Sequence, residues 1–295
     1  MATKTKTKGR KPTAAQREAA KAKVAGLHDK LAAGIAELTS TEQWTAWLDM
    51  ASKFHDYSFG NVMLILSQRP DASQVAGYRK WQELGRQVRK GEQAISILAP
   101  RTGRCYTCNG EGDGCTRCGG SGRVLWFAAA SVFDVSQTDG DPLPEAPVAR
   151  LTGDDEHGWF ARIVDRLLPE GWTVTLEAIP GETNGYCAHG EQKIVVDADL
   201  DPAAQVKTLV HELAHAAMHA PADVDYSKDR GRCEVEAESV AYILLGALDI
   251  DAADYSFGYV ASWADGDLDV VEATGRAVSK QAKLMLDGLL DDDAA

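Results

Sequence analysis

The sequence predicts an α+β protein made of two domains, and three observations support this fold class. The 295 residues exceed the usual size of a single domain. Segments with the 3.6-residue periodicity of amphipathic helices are interrupted by short apolar runs that are typical of paired strands. Residues 136–148 are rich in Thr, Gly, Asp and Pro, as in a linker. We therefore predict domains at residues 27–140 and 151–290, joined by a linker at 141–150.

Charge is distributed unevenly along the chain, whose net charge is −13. Residues 1–26 hold eight basic residues and one acid, whereas residues 151–295 hold ten basic residues and twenty-nine acids. The acidic total argues against a general nucleic-acid-binding protein. The basic head has no apolar residue to bury between Lys4 and Lys11, so we expect residues 1–26 to form a disordered arm that is attracted to phosphate.

The elements of the first domain follow from helix start and stop signals. A long helix is expected from about Ala14 to Leu38, and a capping signal at Ser40 opens a second helix. A turn at residues 57–60 leads into an apolar helix that stops before Pro70. The apolar runs at residues 94–99 and 124–135 read as two strands that pair with each other.

Four cysteines lie between these two strands. Cys105 and Cys108 form one C-x-x-C pair, and Cys115 and Cys118 form a second pair. Four thiolates at this spacing are typical of a closed tetrahedral structural zinc site, and the glycines after each pair let the chain turn back. Two disulfides or free thiols are the alternatives. The chain shows no signal peptide and no apolar run that could span a membrane, so we expect a reducing cytoplasm, which favours the metal.

Basic and aromatic residues are interleaved just before this zinc knuckle, which we place at residues 105–122. From Arg79 to Arg104 there are seven basic residues and two acids, next to Tyr78 and Trp81. Cations that follow a phosphate backbone, together with rings on which bases stack, are what single-stranded nucleic-acid binding requires. A solvated basic edge around two core aromatics explains the pattern equally well.

The second domain carries the most specific chemical motif of the chain, HELAH at residues 211–215. On a helix that starts near Pro202, His211 and His215 lie on one face and can bind the same metal ion. Glu212 is placed to take a proton from a water molecule. The implied chemistry is zinc-assisted hydrolysis of an amide bond. Because short motifs also occur by chance, a third ligand is needed in support.

A following helix, predicted from Gly231 onward, offers three glutamates as the third ligand. Glu234 and Glu238 are four residues apart and flank one side of its apolar stripe, whereas Glu236 points elsewhere. We predict that Glu234 completes the zinc site and that Glu238 orients a histidine as a hydrogen-bond acceptor. Glu236 remains an alternative third ligand. A solvated helix face that carries all three glutamates also remains open.

Three nearby residues receive lesser roles. His219 is expected to be a packed or solvent-facing helix residue, because a fourth protein ligand would block the water position. Cys233 is expected to be a small buried side chain. Residues 184–197 read as a hairpin whose edge strand can pair with an extended substrate backbone. Tyr186 in this hairpin is either a group that polarises the scissile carbonyl or simply a strand residue.

Three sequence blocks resemble a known family. The run YSFGNV at residues 57–62 and the blocks at 77–92 and 132–140 look like the amino-terminal domain of ArdC-type antirestriction proteins. The resemblance covers roughly residues 27–250. The knuckle, whose C-x-x-C-x-G-x-G form resembles the zinc repeats of DnaJ chaperones, and the basic head look like additions to the family pattern.

The resemblance implies a mixed α/β single-stranded-DNA-binding domain followed by a zincin-like metallopeptidase domain. Its implied biology is carriage on a mobile genetic element and protection of incoming DNA from restriction. Its implied chemistry is hydrolysis of peptide bonds by a zinc-activated water, with Glu212 as general base and later as proton donor to the leaving amine. The arrangement of His211, His215 and Glu234 is similar to that of gluzincins.

The expected cofactors are one catalytic and one structural zinc ion, and the expected partners are single-stranded DNA and an unknown protein substrate, with no membrane. The candidate DNA contacts are Tyr57, Asn61, Tyr78, Trp81, Arg86, Arg89 and Lys90. Three other functions stay open. They are a DNA-shielding protein with a catalytically silent zincin domain, a DNA-recruited protease that cuts a regulator, and a protein-binding module built around the knuckle.

Overall fold

The structure, a computed structural model, describes residues 13–143, 158–250, 264 and 266–290. Residues 1–12 of the predicted arm and most of the predicted linker lie outside these described residues. Residues 14–26, which the charge pattern placed in the arm, form the first half of helix α1 (Ala14–Glu37), so the helix predicted from about Ala14 to Leu38 is confirmed. Thr13 and Gln16 start this helix with a reciprocal capping box, since each side chain accepts a hydrogen bond from the other residue's backbone N–H. This local capping signal corrects the arm boundary.

Two further helices of the first half confirm the predicted pattern. Helix α2 (Thr41–Lys53) begins at Ser40, whose hydroxyl accepts the N–H of Gln43 at 3.2 Å. Helix α3 (Phe59–Gln68) is buried along most of its length. The ring of Phe59 packs edge-on against Trp47, with 5.4 Å between the ring centroids. Aromatic packing of this kind fixes α2 and α3 against each other.

The strands of the first half form two small antiparallel sheets around the short helix α4 (Tyr78–Glu83). One sheet has the order β1-β4-β3 and the other pairs β2 with β5. The strands β3 and β4 are in register from Ile95↔Val132 to Arg104↔Arg123, so the predicted strand pair is confirmed and extends to the cysteines. Their bounds are β1 Val75–Gly77, β2 Arg86–Val88, β3 Ile95–Arg104, β4 Arg123–Asp134 and β5 Thr138–Gly140.

The second half packs a three-stranded sheet against helices. Its sheet has the order β6-β8-β7, in which β6 and β8 are parallel and β7 and β8 are antiparallel. The predicted hairpin at residues 184–197 is confirmed as β7 and β8, and β7 lies at the sheet edge. The bounds are α5 Trp159–Leu167, β6 Thr173–Glu177, β7 Gly185–Ala188, β8 Lys193–Asp197, α6 Pro202–Met218, α7 Tyr226–Ala247 and α8 Leu268–Leu290.

Helix α7 begins at Tyr226, earlier than the predicted start at Gly231. Gly231 therefore lies inside the helix, where glycine costs about 1 kcal/mol relative to alanine. Extensive packing of the apolar stripe on α7 offsets this cost, because residues such as Val240 and Leu244 are fully buried. The earlier start places Tyr226 near His215, a position that we did not predict.

Buried side chains from both halves of the chain form one continuous hydrophobic cluster. The indole N–H of Trp44 in α2 donates to the Ser239 hydroxyl of α7 at 3.0 Å. Helix α8 approaches α3 closely at Gly275, where a Cβ atom would lie 2.3 Å from the Phe59 ring. The mixture of helices and mostly antiparallel strands confirms the α+β class. The contacts between α2 and α7 also show that the first half of the chain supports α7, the helix that carries Glu234.

Candidate metal centre

Three side chains converge between helices α6 and α7. His211 and His215 project from the same face of α6, and Glu234 reaches them from α7; their donor atoms all lie within 4.8 Å of one another. The Nε2 atoms of the two histidines are 3.0 Å apart, and Glu234 Oε2 lies 3.5 Å from His211 Nε2 and 3.6 Å from His215 Nε2. The structure thus brings together the three residues that the sequence proposed as ligands.

The spacing of these donors suits a small divalent cation. Donors at about 2.0–2.1 Å from a tetrahedral zinc are separated from one another by about 3.3 Å, close to the three distances observed. Two imidazole nitrogens and one carboxylate oxygen leave a fourth position free, as in sites that perform hydrolysis. The donor set therefore fits a divalent metal ion with one further position open, without rearrangement of the helices.

A buried chain of hydrogen bonds lies behind His215. Its Nδ1 atom is 2.9 Å from His219 Nδ1, and His219 Nε2 is 2.9 Å from Glu236 Oε2. An ionised Glu236 accepts the proton on His219 Nε2, so His219 Nδ1 can accept the proton on His215 Nδ1. This sequence of bonds leaves the lone pair of His215 Nε2 directed at the ligand cluster.

These contacts separate the roles of the three glutamates. Glu234 is the one that reaches the histidine pair, while Glu236 is buried against His219 and also lies 3.5 Å from Thr274. Glu238 lines the cleft beside the site. We predicted that Glu238 orients a histidine; in the structure Glu236 holds that position, through His219. The spacing of four places His219 next to His215, but no pattern within the sequence indicates that His219 contacts Glu236 of α7.

The pKa values of Glu212 and Glu234 are shifted in opposite directions. Burial raises the pKa of Glu212 to about 7, even though the neighbouring His211 lowers it. The neighbouring imidazoles of His211 and His215 hold the pKa of Glu234 far below its usual value. Glu234 is thus an anion at neutral pH, whereas Glu212 can exchange a proton near neutrality.

Tyr226 is a residue of the site that sequence reasoning missed. Its hydroxyl donates to Glu234 Oε1, the oxygen that faces away from the histidine pair. Its ring lies 5.9 Å from the ring of His215. A signal was available as spacings of eight and four along α7, because Tyr226, Glu234 and Glu238 lie on one i, i+4 row of that helix.

An open cleft of about 1820 Å³ gives access to the three side chains. The edge strand β7 forms one wall, where Gly185 passes so close that a Cβ atom would lie 2.5 Å from Thr208 Cγ2 and 3.5 Å from Glu212 Cγ. Tyr186 in this strand is largely exposed and lines the cleft. The edge of β7 that pairs with no strand among the described residues therefore runs beside the buried carboxylate of Glu212.

The four cysteines gather at the end of the β3–β4 hairpin. Their sulfur atoms all lie within 4.8 Å of one another, with 3.8 Å between Cys105 and Cys115 and 3.7 Å between Cys108 and Cys118. A disulfide requires about 2.05 Å between sulfurs, whereas four thiolates around zinc at about 2.3 Å are separated by about 3.8 Å. The geometry fits a tetrahedral metal and excludes the alternative of two disulfides in this structure.

Several predicted DNA contacts have structural partners instead. The Trp81 ring is only 2% exposed and its N–H donates to the Phe133 carbonyl at 2.8 Å, so it cannot stack on a base. This burial corrects the prediction for Trp81, which packs beneath the sheet. Asn61 makes two 2.9 Å hydrogen bonds with the backbone of Leu98, and the hydroxyl of the half-buried Tyr57 donates to the Val75 carbonyl at 3.3 Å.

The remaining predicted DNA contacts differ in how many hydrogen bonds and ion pairs their side chains already form. Arg86 donates to Thr138 and so joins β2 to β5, and Arg89 forms ion pairs with Glu92 and Asp139. Tyr78 and Lys90 are exposed. Neither forms an ion pair among the described residues, although the Tyr78 hydroxyl accepts a hydrogen bond from Gln87.

In the part of the chain that the structure covers, no helix has both the length and the apolar character needed to cross a membrane.

Comparisons with known proteins agree with this architecture. Residues 25–111 match the N-terminal domain of anti-restriction factor ArdC, and residues 173–259 match the IrrE N-terminal-like domain of the peptidase M78 class. An uncharacterised protein of Bacillus anthracis is 24% identical over 303 residues, which cover 89% of this chain and 50% of the relative. The chain thus spans about half the length of the curated relative it matches.

Solved structures give the same result. The metal-free crystal structure of antirestriction protein ArdC from plasmid R388 is 22% identical, covers 80% of this chain and 86% of its own, and superposes with a TM-score of 0.50. Its Mn(II)-bound form gives a TM-score of 0.51 at the same identity. The fold and the two matches define a chain with an ArdC-type N-terminal domain and an IrrE-like, zincin-type C-terminal domain. Its fold is that of ArdC, so the predicted resemblance is confirmed.

Proposed function

We propose that the chain is a single-stranded-DNA-binding zinc metallopeptidase of the antirestriction type. The observation that carries this proposal is the convergence of His211, His215 and Glu234 beside the buried carboxylate of Glu212, in a cleft walled by a free strand edge. The similar plasmid protein has a Mn(II)-bound form, which supports binding of a divalent metal by a protein of this fold. Zinc is the ion that two imidazoles and one carboxylate favour in hydrolytic sites.

The proposed mechanism assigns the protein groups as follows. When bound, a zinc ion polarises the scissile carbonyl and makes a water molecule more acidic. Glu212 takes the proton of the attacking water and passes it to the leaving amine, a role that suits a carboxyl group whose pKa is about 7. His219 and Glu236 hold His215 in the tautomer that a ligand requires.

The proposed substrate is an extended polypeptide. The edge strand β7 has one unpaired side within its sheet, so a peptide can add to it as a further strand through backbone hydrogen bonds. The close passage of Gly185 next to Glu212 Cγ would place such a peptide backbone beside the general base. Recognition through the backbone requires no particular substrate sequence, which leaves the identity of the protein substrate open.

The proposed DNA-binding half uses exposed cations and rings of the first domain, with Tyr78 and Lys90 as first contacts. Arg86 and Arg89 would contribute charge from the same region while they hold the β2–β5 sheet together. The four-cysteine cluster is proposed to hold the second, structural zinc ion. The sulfur atoms are too far apart to form disulfides, which agrees with a reducing cytoplasm. The cytoplasm is also where a mobile element would protect incoming DNA.

The test compares wild type with Glu212→Gln. This substitution keeps the size of the side chain and the three proposed ligands, so zinc content should be unchanged while peptide cleavage is abolished. Cleavage would be followed by mass spectrometry of a peptide library, with and without single-stranded DNA. If Glu212→Gln cut peptides as fast as wild type, the assigned mechanism would be refuted.

The same variant separates the other functions. Loss of protection of incoming DNA, with DNA binding retained, supports a protease whose activity is needed. Intact protection by Glu212→Gln identifies a DNA-shielding protein whose zincin domain is silent.

A further inference from the structure

The β3–β4 hairpin continues beyond the body of the protein as an exposed arm. We call residues 99–128 the knuckle arm; it consists of the outer parts of the two strands and the four-cysteine tip. At the base of the hairpin Ile95, Ile97 and Val132 are buried. Beyond Ala99 the consecutive residues Leu125, Trp126 and Phe127 are 63%, 48% and 53% exposed. Because successive strand residues point to opposite faces, both faces of the arm are uncovered by the described residues.

The arm is a basic segment of an acidic chain. It carries four arginines and two acids, whereas the whole chain has a net charge of −13. All four arginines are exposed, and none forms an ion pair with an acid among the described residues. They are Arg101, Arg104, Arg117 and Arg123. Guanidinium groups without carboxylate partners favour a ligand that brings its own negative charge.

Aromatic rings lie next to these cations along the arm. The guanidinium of Arg117 stands 4.3 Å from the centre of the Tyr106 ring at the tip, and that tyrosine is largely exposed. Trp126 is the register partner of Arg101, and its ring lies across the strand at Gly103, where a Cβ atom would be 2.8 Å from Trp126 Cη2. The indole is therefore supported on one side by the neighbouring strand while its other side remains exposed.

We propose that the knuckle arm is an additional binding surface for single-stranded DNA, an inference that rests on the proposed DNA-binding function and gives it a second location. Rings on which bases stack and arginines whose charge no carboxylate neutralises meet the physical requirement for this ligand, although Arg104 and Arg123 also donate hydrogen bonds within the arm. Duplex DNA suits the arm less well, because its bases are already stacked and cannot lie against Trp126. The four-cysteine cluster fixes the tip, and so keeps Tyr106 and Arg117 in place.

The first experiment measures binding of labelled oligo(dT) to the full chain by fluorescence anisotropy at several salt concentrations. Trp126→Ala should raise the Kd by roughly tenfold, as expected for the loss of one base-stacking platform. Trp126→Phe should keep most of the affinity. Arg101→Gln should reduce the slope of log K against log salt by about 0.7, the value for one phosphate contact on a single strand.

The matched controls lie on α8, far along the chain from the arm. Leu284 is an exposed apolar residue and Lys280 an exposed cation, so Leu284→Ala and Lys280→Gln should leave both affinity and salt slope unchanged. Each variant should also keep the thermal midpoint of wild type, which excludes general unfolding. Photo-crosslinking with 5-bromouracil-substituted oligonucleotide should label peptides that contain Tyr106 or Trp126.

The outcomes distinguish this inference from the proposed function. If wild type binds oligo(dT) and the arm variants bind equally well with an unchanged salt slope, the arm proposal is overturned while DNA binding elsewhere stands. If wild type does not bind, both are overturned. A change of oligomeric state in Trp126→Ala, with unchanged DNA affinity, would assign the arm to contacts between copies of this chain and overturn the proposal as well.

Discussion

The substitution Glu236→Gln tests whether the buried His215–His219–Glu236 chain supports the metal centre. In the wild-type protein the carboxylate lies 2.9 Å from His219 Nε2 and fixes the donor and acceptor order of both histidines. Glutamine keeps the size of the side chain but removes the charge. It can also turn its amide N–H toward His219, which would reverse that order and place a proton on the ligand nitrogen of His215.

The expected magnitude follows from the burial of this chain. Substitution of a group that orients a metal-bound histidine typically costs 10–100-fold in affinity, or about 1.4–2.7 kcal/mol. His219 and Glu236 are both buried, so water cannot take the place of the lost acceptor. The carbonyl oxygen of glutamine can still accept one hydrogen bond, which favours the lower end. We therefore expect zinc affinity to fall by about tenfold.

The assay is competition with a chromophoric chelator, with Glu238→Gln as the matched control on the same helix. Glu238 lines the cleft but makes no hydrogen bond with a histidine among the described residues, so its substitution should change zinc affinity much less. Cobalt substitution distinguishes the sites, because thiolate ligands of the four-cysteine cluster give their own charge-transfer absorption. Normal affinity in Glu236→Gln combined with weakened affinity in Glu238→Gln would refute this reasoning.

Two further predictions concern stability. Gly275→Ala should lower the free energy of unfolding by about 1–3 kcal/mol, since the new methyl group would lie 2.3 Å from the Phe59 ring; urea denaturation would show it, and unchanged or raised stability would contradict the close packing of α8 on α3. Asp134→Asn should cost about 1–3 kcal/mol at pH 7. Burial raises the pKa of Asp134, but hydrogen bonds from Ser136, Ser73 and Gln74 outweigh it and lower the pKa below its usual value. Its contribution is therefore complete above the pKa of the unfolded chain, about 3.9, and is lost as pH falls through the lower folded value. A wild-type–variant difference that stays constant down to pH 2 would contradict this account.

The parts of the site that the sequence predicted are those set by local geometry. A spacing of four on a helix determines that His211 and His215 share a face, and two C-x-x-C pairs flanked by strands determine that four sulfurs meet at a hairpin tip. Apolar runs located β3 and β4, and Pro202 at a helix start located α6, for the same reason. In each case the contacts involve residues close in sequence or on adjacent paired strands.

The parts that escaped prediction depend on how elements cross. Glu236 meets His219 because α7 packs across α6, and the spacing within α7, which set Glu236 apart from Glu234 and Glu238, does not indicate which residue of another helix Glu236 contacts. Trp81 looked like a ring for stacking beside basic residues, but β4 passes over it and accepts its N–H at Phe133. A sequence pattern of alternating basic and aromatic residues does not show which of the aromatic side chains will be buried by the sheet.

The packing of α7 has a consequence for how the two halves act together. This helix directs Glu234 toward the metal centre and, one and a half turns later, Ser239 toward Trp44 of α2. The Tyr242 hydroxyl donates to Asp49 on the same side, so α2 and α7 are joined by polar as well as apolar contacts. Donors about 3.5 Å apart tolerate little displacement before they cease to fit one ion. We therefore expect a ligand that displaces α2 relative to α6 to weaken metal affinity.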